Sequence, residues 1–403
     1  MIRQWFLPTG AHPSVLPLLE GKALRAFADG YVAVLLPAYL IALGLGTLQV
    51  GFLATATLLG SALATIGIGG WGHKFHHGNL LKWAAALMAV TGFAFAAVST
   101  FWPLLVVAFV GTLNPSSGDV SLFLPLEHAR IAEAAEGDVR TSLFARYSLS
   151  GSLLSAVGSL AAALPTVISS WTGVSSLAAL RCMFVLYGLI GCAVWLLYRR
   201  LPKPDDEVTR KPAPLGPSRD IVVRLAVLFS VDSFAGGLVV NALMALWLFQ
   251  RFDMSIAAAG QFFFWSGLCT ALSQLAAPRL AKRIGLLNTM VLTHIPASIC
   301  LITAAFVSNM YLALGLLIVR SLLSQMDVPA RSAFVMSVVT PAERAAAASF
   351  TLVPKSLASA AAPTVGGALF AAGFLAAPLV ACGLLKIGYD LAIWRAFRNT
   401  RHH

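Results

Sequence analysis

The strongest constraint on this chain is a pattern that repeats from end to end: apolar runs of about 20 residues, the length a bilayer core requires, separated by short polar joints. No water reaches the hydrocarbon core, so each run must close its own backbone hydrogen bonds, and a helix does so within one segment. The runs predict helices at 24–46, 48–68, 79–100, 101–124, 141–164 and 178–198, and again at 222–249, 256–278, 288–307, 309–328, 344–370 and 375–397. Composition supports the same solvent. Only 11% of the 403 residues are charged, against roughly 25% in a soluble domain.

A formal charge of +12 raises the question of nucleic acid. The basic residues sit between apolar runs, and no basic motif interleaved with aromatics occurs, so no nucleic-acid partner is expected. Their distribution alternates instead. The joints at 44–47, 99–102, 165–173, 308–310 and 371–378 carry no charge, and the remaining joint of that set carries Arg251 and Asp253. The other set holds Lys74, Lys82, Arg130, Arg140, Arg199, Arg200, Lys282, Arg283, Arg331 and Arg344, and the tail adds Arg395, Arg398 and Arg401. Positive residues accumulate on the cytoplasmic side. Both termini and the middle loop are therefore expected in the cytoplasm of a multi-pass cell-membrane protein with an even number of spans. The opening residues show no apolar stretch followed by a small-residue cleavage site, so the first span is expected to direct insertion.

The segment 198–220, rich in proline and charge, reads as a linker. It divides the chain into a first half at 1–198, a linker at 199–221 and a second half at 222–403. The halves repeat each other: Asp29 matches Asp232, Asp119 matches Asp327 and Arg140 matches Arg344, at offsets of 203, 208 and 204. Three matches in order indicate a duplicated six-helix unit.

Twelve spans, a long central loop and two related halves resemble the major facilitator superfamily over nearly the whole chain. The family motif G-x-x-x-D-R-x-G-R-R falls between helices two and three. Here Gly69-Gly70-Trp71-Gly72-His73-Lys74-Phe75-His76-His77 stands at that place, with His73 at the acidic position. The copy is Pro278-Arg279-Leu280-Ala281-Lys282-Arg283-Ile284-Gly285, with Lys282 at the acidic position. The resemblance implies an all-α membrane protein of twelve transmembrane helices in two pseudo-twofold-related six-helix bundles, moving a solute by alternating access. It also implies a cytoplasmic latch of His73, Lys74 and Asp119, repeated by Lys282, Arg283 and Asp327. His73, His76 and His77 read as exposed loop histidines rather than a metal site. The family's glycine-proline antiport motif is missing from helix five, where Ser148-Leu149-Ser150-Gly151-Ser152 stands, and a Pro363-Thr364-Val365-Gly366-Gly367 pattern occurs in helix eleven.

A charge at the bilayer centre costs on the order of 3 kcal/mol on insertion scales, so each one calls for a reason. Asp29 and Asp232 lie early in the related helices one and seven and are the expected proton-coupling residues. Asp29 also has Arg25 one turn before it, so a local ion pair stays open for it. Asp232 has no such local partner. Arg320 and Lys355 leave two readings open, a structural pair with Asp232 or Asp29, or a hold on an anionic substrate group. Lys386 and Asp390, four apart, are expected to pair with each other. Asn114, before Pro115, with Asn241 and His294, completes the expected substrate cavity. The run Phe262-Phe263-Phe264-Trp265 is expected in lipid or core, and the five cysteines read as small core hydrophobes. Glu127, His128, Glu133 and Glu136 read as the solvated face of a loop helix.

There is no Walker loop and no catalytic constellation, so neither ATP-driven transport nor an enzyme is expected. No cofactor or metal is expected. The partners implied are the lipid bilayer, a small-molecule or ion substrate and protons, and the chain is expected to act as a monomer. The function expected is proton-coupled secondary transport in the efflux direction. The alternatives are uptake of a small anion and a non-transporting membrane receptor on the same fold.

Overall fold

The computed structural model describes residues 15–71, 77–116, 121–133, 137–201, 216–340 and 343–398, and no strand occurs among them. The first half contains α1 (Leu16–Ala42), α2 (Thr47–Trp71), α3 (His77–Ala97), α4 (Phe101–Val110), α5 (Phe123–Glu133), α6 (Gly137–Ala161), α7 (Leu164–Thr172) and α8 (Ser176–Tyr198). The second half contains α9 (Arg219–Gly237), α10 (Asn241–Phe252), α11 (Ile256–Ile284), α12 (Leu286–Phe306), α13 (Met310–Ser324), α14 (Asp327–Val338), α15 (Arg344–Ala371) and α16 (Ala377–Phe397). Nine stretches among the described residues are long and apolar enough to cross a membrane. The shorter apolar α4 and α13, together with the 28-residue α15, bring the crossings to approximately twelve.

Three crossings expected as single helices are broken. In the fourth, α4 ends at Val110 and the described residues 111–116 are not helical; the seventh stops at Gly237 and resumes at Asn241, and the tenth divides between Ser324 and Asp327. Proline and asparagine explain the first break. Pro115 cannot continue the backbone ladder, and the Asn114 Oδ1 accepts from the Ser116 N–H at 3.1 Å and its hydroxyl at 2.7 Å. The first and second breaks face each other, since the Ala242 N–H donates to the Pro115 carbonyl at 3.0 Å. Broken backbone is tolerated at membrane depth where protein or a cavity receives it.

Side chains cap several helices at the end of the bundle away from Leu16 and Phe397, called the far end below. Ser175, Ser255 and Asn309 accept from Ala178, Ala258 and Leu312 N–H groups. Gly285, at φ 87°, supplies the left-handed turn from α11 to α12.

Within the halves, α1 packs on α6 and α8, α3 on α8, α9 on α15, and α12 on α16. Between them, α2 packs on α15, α6 on α11, and α1 on α10. These seams need small residues. A Cβ on Gly51 would meet the Pro363 carbonyl at 2.7 Å, and one on Gly260 would meet the Ser159 carbonyl at 2.4 Å. Close backbone approach of this kind is how helices associate where lipid offers no hydrophobic gain. The Thr364 N–H and hydroxyl add bonds to the Thr55 hydroxyl across the same seam, at 3.0 and 2.8 Å.

Large apolar side chains such as Trp83, Trp102, Trp171 and Tyr311 point outward, as a lipid-facing surface requires. The cysteines correct the core expectation. Only Cys382 is buried, Cys182 and Cys192 are exposed, and Cys269 and Cys300 are intermediate.

Glu343, at the polar turn before α15, was not singled out by sequence. It is buried, and its carboxylate accepts from the Gly216 N–H, the Ser218 N–H at 3.2 Å and the Thr340 hydroxyl at 2.6 Å. These donors hold its pKa down at about 2, below the ordinary 4.5. A depressed carboxylate stabilises above its unfolded pKa and loses that contribution as pH falls through the folded one. The tie between 216–218 and α15 is therefore expected to hold from neutral pH to about 4.5 and to loosen from there towards about 2. Hydrogen exchange at 216–218 checks this. Glu343→Gln should raise exchange there already at pH 7, and unchanged protection would show that the tie does not depend on the charge.

Candidate functional site

Among the described residues, two buried charge clusters and a polar cavity lie in the interior. In the first half, Arg25 on α1 pairs with Glu127 on α5. Glu127 also accepts the hydroxyls of Tyr147 on α6, at 2.5 Å, and of Tyr198 at the end of α8. The Arg25 guanidinium lies 3.8 Å from the centre of the Phe123 ring. Glu127 is 0% exposed. This corrects the reading of Glu127 as part of a solvated face. Three donors from three other helices draw it inside. It also supplies Arg25 with a partner other than Asp29. Asp29 itself is half-buried on α1.

In the second half, Asp232 on α9 accepts from Arg331 on α14 at 2.8 Å and from Lys386 on α16 at 2.7 Å. Arg331 also pairs with Asp327, one turn earlier on its own helix. Lys386 Nζ lies 3.2 Å from His294 Nε2, and His294 Nδ1 lies 3.0 Å from Asp390 Oδ1. Phe229 and Tyr389 place their rings beside Arg331. Asp232, His294, Asp327 and Asp390 are all buried.

Several expectations change here. Lys386 and Asp390 do not pair with each other: Lys386 takes Asp232 and Asp390 takes His294, because both face α9 and α12 rather than along α16. The cations on Asp232 are Arg331 and Lys386, not Arg320 or Lys355. His294 sits in this cluster and not on the cavity. Asp327 takes Arg331, while Lys282 and Arg283 end α11 exposed. The first-half latch residues His73, Lys74 and Asp119 lie outside the described residues.

The cavity lies between the halves at mid-depth and has a volume of about 220 Å³. First-half walls come from Gly30 and Ala33 on α1, Ser116, and Ser152, Ser155 and Ser159 on α6. Second-half walls include Asn241, Ser266, Thr270, Gln274, Arg320 and Ser321. Asn241 and Arg320 are thus among the lining residues. Asn114 is buried beside Ser116 at the break, and Lys355 is half-buried on α15 outside the lining. Phe262 and Phe263 line the cavity, whereas Trp265 faces outward.

A broken-helix bundle with a polar interior cavity between two packed halves suits a membrane carrier. A profile of the Major Facilitator Superfamily matches residues 21–244. The chain belongs to that superfamily and is a membrane transporter of its type. Among individual proteins, it is 24% identical to the uncharacterized membrane protein YJR124C of Saccharomyces cerevisiae over 407 residues, covering 92% of this chain and 91% of the relative. Among solved structures, the nucleoside transporter NupG superposes with a TM-score of 0.71 at 15% identity, covering 96% of this chain and 100% of that one. A bacterial homologue of the human lysosomal transporter Spinster, inward-facing and occupied, gives 0.72 at 16% identity, covering 97% and 99%. The xylose transporter XylE from E. coli, inward open, gives 0.71 at 13%, covering 96% and 97%. At these identities the likeness is one of fold.

Proposed function

We propose that this chain is a proton-coupled carrier that moves a small solute through the central cavity by alternating access, with its termini and middle loop in the cytoplasm. The observation that carries the reading is the charge count of the second cluster. Asp232, Asp327 and Asp390 supply three carboxylates, against the two cations Arg331 and Lys386 and one imidazole, His294. With His294 neutral the cluster is one positive charge short, and binding one proton balances it. The members come from α9, α12, α14 and α16, all of the second half, so coupling requires these helices to adjust within that half as it rocks against the first. A group that gains or loses its proton in such a shift links the two events.

The seams support a state closed at the far end. The named contacts between halves, at Gly51, Thr55, Pro115, Ser159 and Gly260, run from the far end to mid-depth. In this reading Asp29 and Asp232 remain the coupling residues, and the latch residues close the terminal end in the opposite state.

Purified protein in proteoliposomes tests the coupling. An imposed pH gradient should drive solute movement that stops when an ionophore collapses the gradient, and solute should move protons in return. Solute flux indifferent to the gradient would overturn the proposal. The two orientations of the gradient separate export, the direction expected from sequence, from uptake.

A further inference from the structure

The cavity wall is asymmetric in charge. Its named polar groups are hydroxyls and amides, with Arg320 as the cation, and no Asp or Glu occurs among the described lining residues. Arg320 accepts no compensation from the chain either: among the described residues it makes no ion pair and donates no hydrogen bond to a side chain or carbonyl. Two other interior arginines differ in this. Arg25 has Glu127, and Arg331 has Asp232 and Asp327. A guanidinium carries five N–H donors in a rigid fork suited to two oxygens of one anionic group. A cation held away from bulk water without a partner is costly, and an anion returns most where the site is otherwise dry.

The remainder of the wall says what the anion is attached to. Ser152, Ser155 and Ser159 project from one face of α6, and Ser266, Thr270 and Gln274 from one face of α11, each set spaced by three or four residues. Ser266 and Ser321 already bond to each other at 2.7 Å. Phe262 and Phe263 supply a limited apolar wall. A volume of about 220 Å³ lies below the roughly 300–1,000 Å³ of clefts for drug-sized ligands. Such walls fit a compact polar body and leave little room for a lipophilic drug.

We infer that the cavity binds a small hydrophilic anion, its carboxylate, phosphate or sulfate group held by Arg320 and its polar body by the serines and amides of α6 and α11. This deepens the transport reading above, on which it rests, by naming the substrate class.

The test is equilibrium binding to the full-length protein in detergent, read as a thermal-stability shift. The probes are lactate, gluconate, glycerol 3-phosphate, inorganic phosphate and sulfate, with xylose, uridine and tetraphenylphosphonium as neutral and cationic controls. At least one anion should raise Tm with saturation while the controls do not. The carboxylate, phosphate and sulfate arms identify the group. Arg320→Gln should weaken that anion by about tenfold or more, as expected for loss of a charge-assisted pair, and Arg320→Lys should recover part of it. Indifference to every anion, a shift by the controls alone, or a monodisperse Arg320→Gln protein that binds like the parent would overturn the inference. If Arg320→Gln does not fold, Arg320→Lys decides alone, by weakened or unchanged anion binding. The assay holds no pH gradient, so its failure leaves proton coupling standing, and failure of gradient-driven flux leaves this inference standing.

Discussion

Glu127→Ala protein is expected to be the least stable single variant of the first half. Removing one partner of a buried ion pair costs about 3–5 kcal/mol, because the other charge stays buried without compensation. Here the loss is wider than one pair. Arg25 loses its carboxylate, and the hydroxyls of Tyr147 and Tyr198 lose their acceptor in the same substitution. The four residues come from α1, α5, α6 and α8, so the carboxylate ties the short α5 to the rest of its half. Thermal unfolding in detergent should show a large fall in Tm, with a loss of monodisperse protein. Arg25→Leu combined with Glu127→Leu should recover much of that fall, since it removes both charges, yet not all of it, since the tyrosines remain without an acceptor. A double variant as unstable as Glu127→Ala would mean that the charge balance is not what the cluster provides.

The contrast between what sequence disclosed and what it hid follows from range. Apolar runs act locally, so nearly every crossing was legible, and Asn114-Pro115 marked a true break. The breaks near Leu238 and Gln325 carried no proline at the break itself and passed unseen. Glu127 was misread because its neighbours His128, Glu133 and Glu136 are polar, while its partners stand 102, 20 and 71 residues away. Arg25 on an apolar helix signalled a carboxylate nearby, and Asp29 one turn on offered a local candidate that hid the distant one. Lys386 and Asp390 misled by the opposite route. Their spacing of four satisfies the helical pair rule, but a spacing cannot say which neighbouring helix competes for each side chain. For Asp327 the same rule would have served, since Arg331 stands one turn on; sequence reading grouped Arg331 with the loop cations instead. Asn241 and Arg320 drew attention in the sequence because a polar group on an apolar crossing needs an aqueous or protein-lined place to go.

Asp232→Asn should abolish solute accumulation driven by a pH gradient while leaving exchange at equal pH partly intact. The argument rests on the charge of the whole cluster. In the parent, three carboxylates meet Arg331, Lys386 and His294, and one bound proton brings the sum to zero. The variant removes one negative charge permanently. Asp327 then balances Arg331 and Asp390 balances Lys386, with His294, which lies between Lys386 and Asp390, counted as the neutral imidazole. The cluster is neutral with no proton bound, so it has nothing to gain by taking one up in either state of the cycle. The asparagine oxygen can still accept from Lys386 or Arg331, which keeps the helices packed and makes a folded protein the expected result. Exchange does not require net proton movement, and the cavity residues are untouched, so the solute should still cross. Asp390→Asn provides the matched comparison: it removes the same charge from the other end of the cluster and should uncouple in the same way, without touching Asp232. Gradient-driven accumulation at the parent level in Asp232→Asn would exclude the cluster as the coupling element and leave Asp29, on the related helix of the first half, as the residue to test.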